Sequence, residues 1–582
     1  MRDTIRAVWP FLWSRRKPLG LGLAALIAKD VLGALVPLAM RESVDSISTL
    51  RSTGVSRVVW MLTILLGLNA VKAVFQYWMR VIVIGVSRDI EYDLRDRIFA
   101  RLVTLDSGFF ARWRTGDIMA RATNDLNSVR MMLGPGIMYW TETSLTFALA
   151  LGIMLWSDWR LTLIALAPAP VVSVAVIVFG QWIHRRYEKI QERFSDISSR
   201  VQESLSGVRV LRAYAQEEAE LARFEEVNRD FIGQNLRLSV GQGLFMPLLE
   251  TLIGLSFVLV LWSGGQRLIN GQLTLGGFLM FNFYLGMLSW PMIALGWVVN
   301  LMQRGSASWR RLEQLLGEQP KIAAPDRPRP LPSPLRGEIE FQGVTMEHKS
   351  TKALDDVSLR IPAGSTIAFV GPTGCGKTTL AQMIPRLLDP TRGRVLLDGT
   401  DVREFDPAEL RRAIGFVPQE TFLFSANLAE NIAWGVPDAP REAIEKAAEA
   451  AGLGPDIAAF PDGYETKIGE RGLTLSGGQK QRTAIARAIV RDPRLLILDD
   501  ALSAVDTITE ERILANLGSI LRGRTAILIA HRVSTIRQAN WIVVLDRGRI
   551  VEQGTHDELV ARGGFYAELC DKQALEEELE AT

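Results

Sequence analysis

Six long apolar stretches punctuate the first 300 positions, near residues 18–40, 57–85, 134–156, 160–182, 244–268 and 274–300. About 20 apolar residues cross roughly 30 Å of hydrocarbon as helix, so each stretch predicts a membrane span. The second half of the chain has none. The polar intervals between spans keep a helical rhythm: across 188–226, charged residues alternate with Ile, Val, Leu and Phe at helical spacing, which predicts helices that continue beyond the bilayer. The run that follows Ser14-Arg15-Arg16-Lys17 outlasts an ordinary signal core and lacks a clean small-residue cleavage pattern, so it is read as a retained first span. Prolines at 320, 325, 328, 330, 332 and 334 oppose any continuous helix and predict a linker. From Gly337 on, short β-rich runs such as 365–370 and 495–498 alternate with helical segments, the pattern of an α/β domain. The predicted organisation is an all-α six-helix transmembrane domain over 1–313, a linker over 314–337 and an α/β P-loop domain over 338–582.

Charge then orients the spans. The intervals 86–130 and 183–243 carry eight arginines and ten Lys or Arg, whereas 157–159 and 269–273 carry neither, so the long intervals are placed in the cytoplasm. An even number of spans returns the C-terminal domain to that side. Lys plus Arg total 66 against 64 Asp plus Glu, a net charge of +2, which gives no electrostatic basis for a nucleic-acid partner. Two cysteines, Cys375 and Cys570, are too few for a disulfide scaffold. Charged residues inside spans are costly unless they face protein, water or the interface, which singles out Lys29, Asp30, Lys72, Arg80, Glu142 and Glu250. Lys29, Asp30 and Glu142 either line an inward cavity or pair structurally. Phe278, Phe281, Phe283, Tyr284, Trp290 and Trp297 give the last span aromatic surface, for amphipathic ligands or for packing.

The chemistry is concentrated in the C-terminal half. A buried strand, 366–370, runs into Gly371-Pro372-Thr373-Gly374-Cys375-Gly376-Lys377-Thr378 and then a helix, a P-loop in its proper setting. Glycines let backbone N–H groups close around phosphate, Lys377 supplies charge for the outer phosphates, and Thr378 can hold Mg²⁺. Cys375 reads as filler. Downstream, Leu495-Leu496-Ile497-Leu498-Asp499 ends an apolar strand in a carboxylate suited to Mg²⁺.

Between these lies Leu475-Ser476-Gly477-Gly478-Gln479, and here the chain resembles the ATP-binding cassette family, whose signature is this pentapeptide. Gln419 matches the family's Q-loop, Ser503-Ala504-Val505-Asp506 its D-loop and His531 its switch histidine, in the expected order. Six spans followed by one cassette is the layout of an exporter half-transporter. The resemblance implies ATP and Mg²⁺ as cofactors. It assigns nucleotide contacts to His348, Gly371, Pro372, Thr373, Gly374, Cys375, Gly376, Lys377, Thr378, Thr379, Ser476, Gly477, Gly478, Gln479 and Asp506. Metal contacts fall to Thr378, Gln419 and Asp499, and the hydrolytic step to Asp500, Gln419 and His531. It also implies two halves per working unit, each ATP lying between one P-loop and the other signature. Coupling helices are expected near 115–121 and 213–224, unless these are solvated charged helices.

Two positions depart from the family pattern. The family's base is a Glu directly after the Mg²⁺ aspartate, but here the pair is Asp499-Asp500. One missing methylene withdraws the carboxylate by about 1.5 Å, and about 1 Å of misplacement costs on the order of a hundredfold in rate. Asp500 is therefore expected to be a poor base, unless a shifted backbone or a water restores it. His348 occupies the place of an adenine-stacking tyrosine, either as a smaller stacking ring or as an unrelated surface histidine. An intact signature with a shortened base resembles the degenerate subunit of heterodimeric bacterial multidrug exporters. The partner implied is a second, non-identical half-transporter bearing a Glu base, in the cytoplasmic (inner) membrane of a bacterium, with drugs, lipids or peptides as amphipathic cargo. A homodimeric lipid flippase is the alternative. A DNA-repair ATPase also carries a signature motif, and six spans argue against it.

Overall fold

The protein is described by a computed structural model covering residues 2–48, 55–348, 351–469, 475–505 and 507–580. The chain forms two compact units, Met1–Val103 with Thr115–Glu318, and Thr104–Arg114 with Gln319–Thr582.

The first unit is helical throughout: α1 (Arg2–Ser14), α2 (Arg16–Ser48), α3 (Val55–Leu102), α5 (Thr115–Leu166), α6 (Ala169–Ser206), α7 (Val208–Ala213), α8 (Glu217–Ile269) and α9 (Leu275–Gly317). Helix α5 contains π turns at Arg121–Asp125 and Met132–Gly136, the second around Pro135. The 53 residues of α8, at about 1.5 Å each, far exceed a bilayer core, as the polar helical rhythm of 188–226 predicts. Among the described residues, five helices (α2, α3, α5, α8 and α9) are long and apolar enough to cross a membrane. The interval expected at 157–159 is a kink within α5, and the span expected at 160–182 is not a single helix. Asp158 leaves helical geometry (φ −157°, ψ 100°) and its Oδ1 caps the restart, accepting from the amides of Arg160 and Leu161 at 3.0 Å each. A second break follows at Ala167-Pro168, because Pro168 and Pro170 have no amide hydrogens to continue the ladder. The apolar residues of that stretch are thus divided between the end of α5 and the start of α6.

Packing divides the aromatic residues of α9 and pairs the charges of α2. Phe281 and Tyr284 are fully buried against Ala150, Met154, Leu161 and Val260, and the Tyr284 hydroxyl donates to the Ala34 carbonyl of α2. Phe283, Trp290 and Trp297 stay exposed. Lys29 pairs with Asp30 at 2.7 Å and with Glu142 of α5 at 2.5 Å, so one ammonium bridges two carboxylates inside the helical unit.

In the second unit, a four-stranded antiparallel sheet runs in the order β2 (Thr351–Ile361), β1 (Ile339–His348), β4 (Arg392–Leu397), β5 (Thr400–Asp401). A six-stranded sheet has the order β10 (Arg549–Gly554), β9 (Trp541–Asp546), β3 (Thr366–Val370), β8 (Thr525–Ile529), β7 (Leu495–Asp499), β6 (Ile414–Val417). Pairing is parallel from β9 through β6, and β10 is an antiparallel edge. The parallel strands β3, β7 and β8 are almost wholly buried, matching their unbroken apolar runs. The helices of this unit after the linker are α10 (Lys377–Met383), α11 (Pro407–Arg412), α12 (Leu428–Ala433), α13 (Arg441–Ala450), α14 (Gly454–Ala459), α15 (Gly477–Ile489), α16 (Thr507–Leu521), α17 (Val533–Ile536), α18 (His556–Arg562) and α19 (Phe565–Glu580). Of these, α10 leaves the end of β3 and α15 leads into β7. The six-residue helix α4 (Ser107–Arg112), although it lies in sequence between α3 and α5, packs within this second unit.

Candidate nucleotide-binding site

In an open parallel sheet the chain crosses over behind the strands, leaving their carboxyl ends clear for a ligand. Here β6, β7, β8 and β3 are consecutive neighbours, and each is followed at its carboxyl end by a candidate residue: Gln419, Asp499 with Asp500, His531 and the P-loop. Asp499 pairs in register with Ile529, which also pairs with Phe369. One cleft is consequently lined by Thr373, Gly374, Gly376, Lys377, Thr378, Thr379, Gln419, Asp499, Asp500 and His531.

The loop geometry explains its glycines. Gly371 and Gly376 have φ of +146° and +106°. A Cβ at Gly371 would strike the Leu545 carbonyl, and one at Gly376 would come within 2.6 Å of the Ala353 carbonyl. Cys375 is buried inside the loop, where it fills space. The Lys377 ammonium donates to the carbonyls of Gly371 and Pro372 at 2.8 and 2.9 Å, which draws the loop around the start of α10. Thr378 donates its hydroxyl to Asp499 Oδ1 at 3.0 Å, while Asp499 Oδ2 is buried and has no hydrogen-bond partner. A hydroxyl and a carboxylate joined in this way, with one carboxylate oxygen free, fit a Mg²⁺ that would complete its shell with water and phosphate oxygens. Burial pushes the Asp499 carboxyl above its usual pKa and the Asp500 charge adds to this, against the Thr378 hydrogen bond and the charge of Lys377.

Asp500 takes a left-handed backbone, φ +49°, anchored by its amide on the Ile529 carbonyl at 2.9 Å. Asp and Asn tolerate this conformation better than longer side chains. Gln481 of α15, a residue that motif reading did not single out, donates to the Asp500 carbonyl at 3.3 Å and to Ser503 Oγ at 2.9 Å, and accepts from the Ala504 amide at 2.9 Å. Its position two residues beyond the signature was the one available signal.

The signature residues do not line this cleft. Ser476 is the N-cap of α15 in a reciprocal capping box with Gln479: the Ser476 hydroxyl accepts from the Gln479 amide at 3.3 Å, and Gln479 Oε1 accepts from the Ser476 amide at 2.9 Å. Gly478 lies so close to the Ala504 carbonyl that an added Cβ would sit 2.9 Å from it, and Gly477 is similarly near the Ala504 side chain. The result is a bare helix N-terminus whose dipole and amides suit phosphate. Asp506 lies outside the described residues, as does the side chain of His348, whose backbone closes β1 opposite Thr351.

The segment that packs with this unit is Thr104–Arg114, just before the expected 115–121, which belongs to α5 in the helical unit. Asp106 caps α4 by accepting from the Phe109 amide at 3.1 Å, its other oxygen accepts from the Lys321 amide at 3.2 Å, and Phe109 is buried and stacked on Trp113. The missed signal was aromatic: Phe109, Phe110 and Trp113 crowd a short polar interval. The second expected segment, 213–224, covers the last residue of α7, the turn after it and the start of α8, and holds no buried residue.

Comparison with known proteins agrees with both halves of this architecture. The family model described as "ABC transporter transmembrane region" matches residues 19–292, and that described as "ABC transporter" matches residues 354–503. The chain is 36% identical over 560 residues, 95% of either protein, to the "Probable multidrug resistance ABC transporter ATP-binding/permease protein YheI" of Bacillus subtilis (strain 168). The chain belongs to the ATP-binding cassette transporters. It is also 34% identical over 558 residues, 95% of this chain and 92% of the relative, to the "ATP-dependent lipid A-core flippase" of Syntrophus aciditrophicus (strain SB). The solved structure of a bacterial Atm1-family ABC exporter with ATP bound superposes with a TM-score of 0.76 at 29% identity, covering 97% of this chain and 98% of that one. The protein is thus an ATP-hydrolysing ABC exporter: a multi-pass membrane unit of long helices joined to an α/β nucleotide-binding unit.

Proposed function

We propose that this exporter chain is one half of a heterodimer that moves amphipathic molecules (drugs, lipids or peptides) out across the cytoplasmic membrane of a bacterium, and that its own ATP site is the weaker of two. The observation that carries this reading is Asp500, directly after Asp499 and lining the P-loop cleft, in a chain whose signature helix begins with an intact Ser476-Gly477-Gly478-Gln479. A base one methylene short withdraws its carboxylate from an attacking water, whereas the signature remains able to complete a partner's site. In this arrangement Lys377 and Thr378 retain nucleotide and Mg²⁺, and hydrolysis is carried chiefly by the partner's Glu.

Steady-state ATPase rates of the purified complex test the asymmetry. Ser476→Arg places bulk at the α15 N-terminus and should abolish most turnover. Asp500→Asn should leave most of it, and Asp500→Glu should raise the activity of this chain's own site. Equal loss with Asp500→Asn and Ser476→Arg would make Asp500 a working base and favour two identical halves. That second reading, a homodimeric lipid flippase, draws support from the lipid A-core flippase, a relative of nearly the same identity as the multidrug one. Native mass spectrometry of the complex from its source separates the two.

A further inference from the structure

The C-terminal helix α19 reaches the loop that carries His531. Tyr566, Leu569, Cys570 and Gln573 stand at i, i+3, i+4 and i+7, on one face of that helix. Tyr566 is fully buried, and Leu569 and Cys570 pack on the same cluster, which includes Ala530, Ile536 and Val544. This contact fixes α19 against the sheet and carries the next residue on its face, Gln573, to the backbone just beyond β8.

There the amide uses both ends. Gln573 Oε1 accepts from the Val533 amide at 2.8 Å, and Nε2 donates to the His531 carbonyl. An acceptor carbonyl and a donor amide two residues apart require one side chain holding both functions, and only one orientation of the Gln573 amide satisfies them together. Arg532, between them, is held from the other side by the Val505 carbonyl at 3.0 Å and by the buried carboxylate of Glu510. The loop is gripped on two faces while the His531 ring lines the cleft with Lys377 and Thr378.

We propose that Gln573 is a positioning residue for His531: by clamping the peptides on either side of Arg532 it aims the imidazole at the terminal phosphate of a bound nucleoside triphosphate. The C-terminal helix thereby becomes part of what distinguishes ATP from ADP at this chain's own site. The proposal rests on the nucleotide reading of the cleft and is indifferent to whether the partner half is identical.

The test is photolabelling of this chain, in its complete membrane complex with Mg²⁺, by an azido-adenine analogue of ATP and by its ADP counterpart. Gln573→Ala should lower the preference for the triphosphate by about fivefold, the order of one hydrogen bond, with diphosphate labelling unchanged. His531→Ala should do the same, and the double variant should add little, since both act on one contact. Gln573→Glu keeps the Val533 bond but sets a carboxylate against the His531 carbonyl, so its preference should fall like that of the alanine variant. An unchanged preference in Gln573→Ala or Gln573→Glu, or an equal loss of both labels, overturns the assignment. Absence of labelling on the wild-type chain overturns the nucleotide reading, and this assignment with it.

Discussion

Asp499 carries the sharpest conflict between stability and chemistry. It is 1% exposed, holds the Thr378 hydroxyl on one oxygen and has no hydrogen-bond partner on the other. Its pKa is raised, chiefly by burial. A carboxyl raised above its unfolded value favours folding fully below that unfolded pKa, and the benefit is lost as pH rises through the folded pKa. Asp499→Asn removes the buried charge while leaving an oxygen for Thr378. Its nucleotide-free form should therefore gain about 1–2 kcal/mol at neutral pH, with the gain shrinking in acid, and should lose Mg²⁺-dependent ATP binding. Melting curves across pH, with and without Mg²⁺ and ATP, check both halves. A variant that melts below wild type at every pH would mean that the charge is compensated in the free protein. Lys377, Thr378 and Asp499 were all legible as a motif, because a phosphate cradle and a strand-end carboxylate each occupy a few contiguous residues. Gln481 and Gln573 were not, since an amide reveals its purpose only through the backbone groups it meets.

At the scale of elements, α4 is instructive. Six residues do not make a stable helix alone, yet Phe109 is 1% exposed and Asp106 caps the first turn. The segment holds its shape because it packs with the cassette unit while its ends continue into α3 and α5. Phe109→Ala should cost that packing about 3–5 kcal/mol and detach the segment without touching the P-loop. ATP hydrolysis in proteoliposomes should then persist largely while substrate transport falls; parallel loss of both would argue that α4 supports only the fold of the cassette. The period of apolar residues predicted long helices and did so well in α2, α3, α8 and α9. It overran the break at Ala167-Pro168, because hydropathy is blind to the backbone geometry that prolines at 168 and 170 impose, whereas the kink at Asp158 falls in the interval 157–159 that separates two expected spans.

For the molecule as a whole, the orientation of the spans follows from charge and makes its own prediction. Cysteines introduced at Ser157 and Asn270, in a chain first cleared of Cys375 and Cys570, should react with an impermeant maleimide in intact cells. Those at Ser195 and Ser333 should react only after permeabilisation. Labelling of Ser195 from outside would reverse the orientation. Ser157 directly precedes the kink at Asp158, and Asn270 follows the last residue of α8, so both stand where long helices turn.

The order of the chain alone determined the membrane-crossing character, the cassette, the phosphate loop, the signature and the unusual Asp500, because each depends on residues adjacent in sequence or on a short repeating period. Tertiary structure decided everything that depends on non-local pairing. The strand order β10-β9-β3-β8-β7-β6 brings Gln419, Asp499, His531 and Lys377 to one edge and leaves Ser476 elsewhere. The same packing assigns Phe109 to the cassette, sets Lys29 between the carboxylates of Asp30 and Glu142, and sets Gln573 on the His531 loop. The physical reason is common to all of these: hydrogen bonds and burial between distant segments are properties of the folded contact pattern, which composition and local periodicity do not encode.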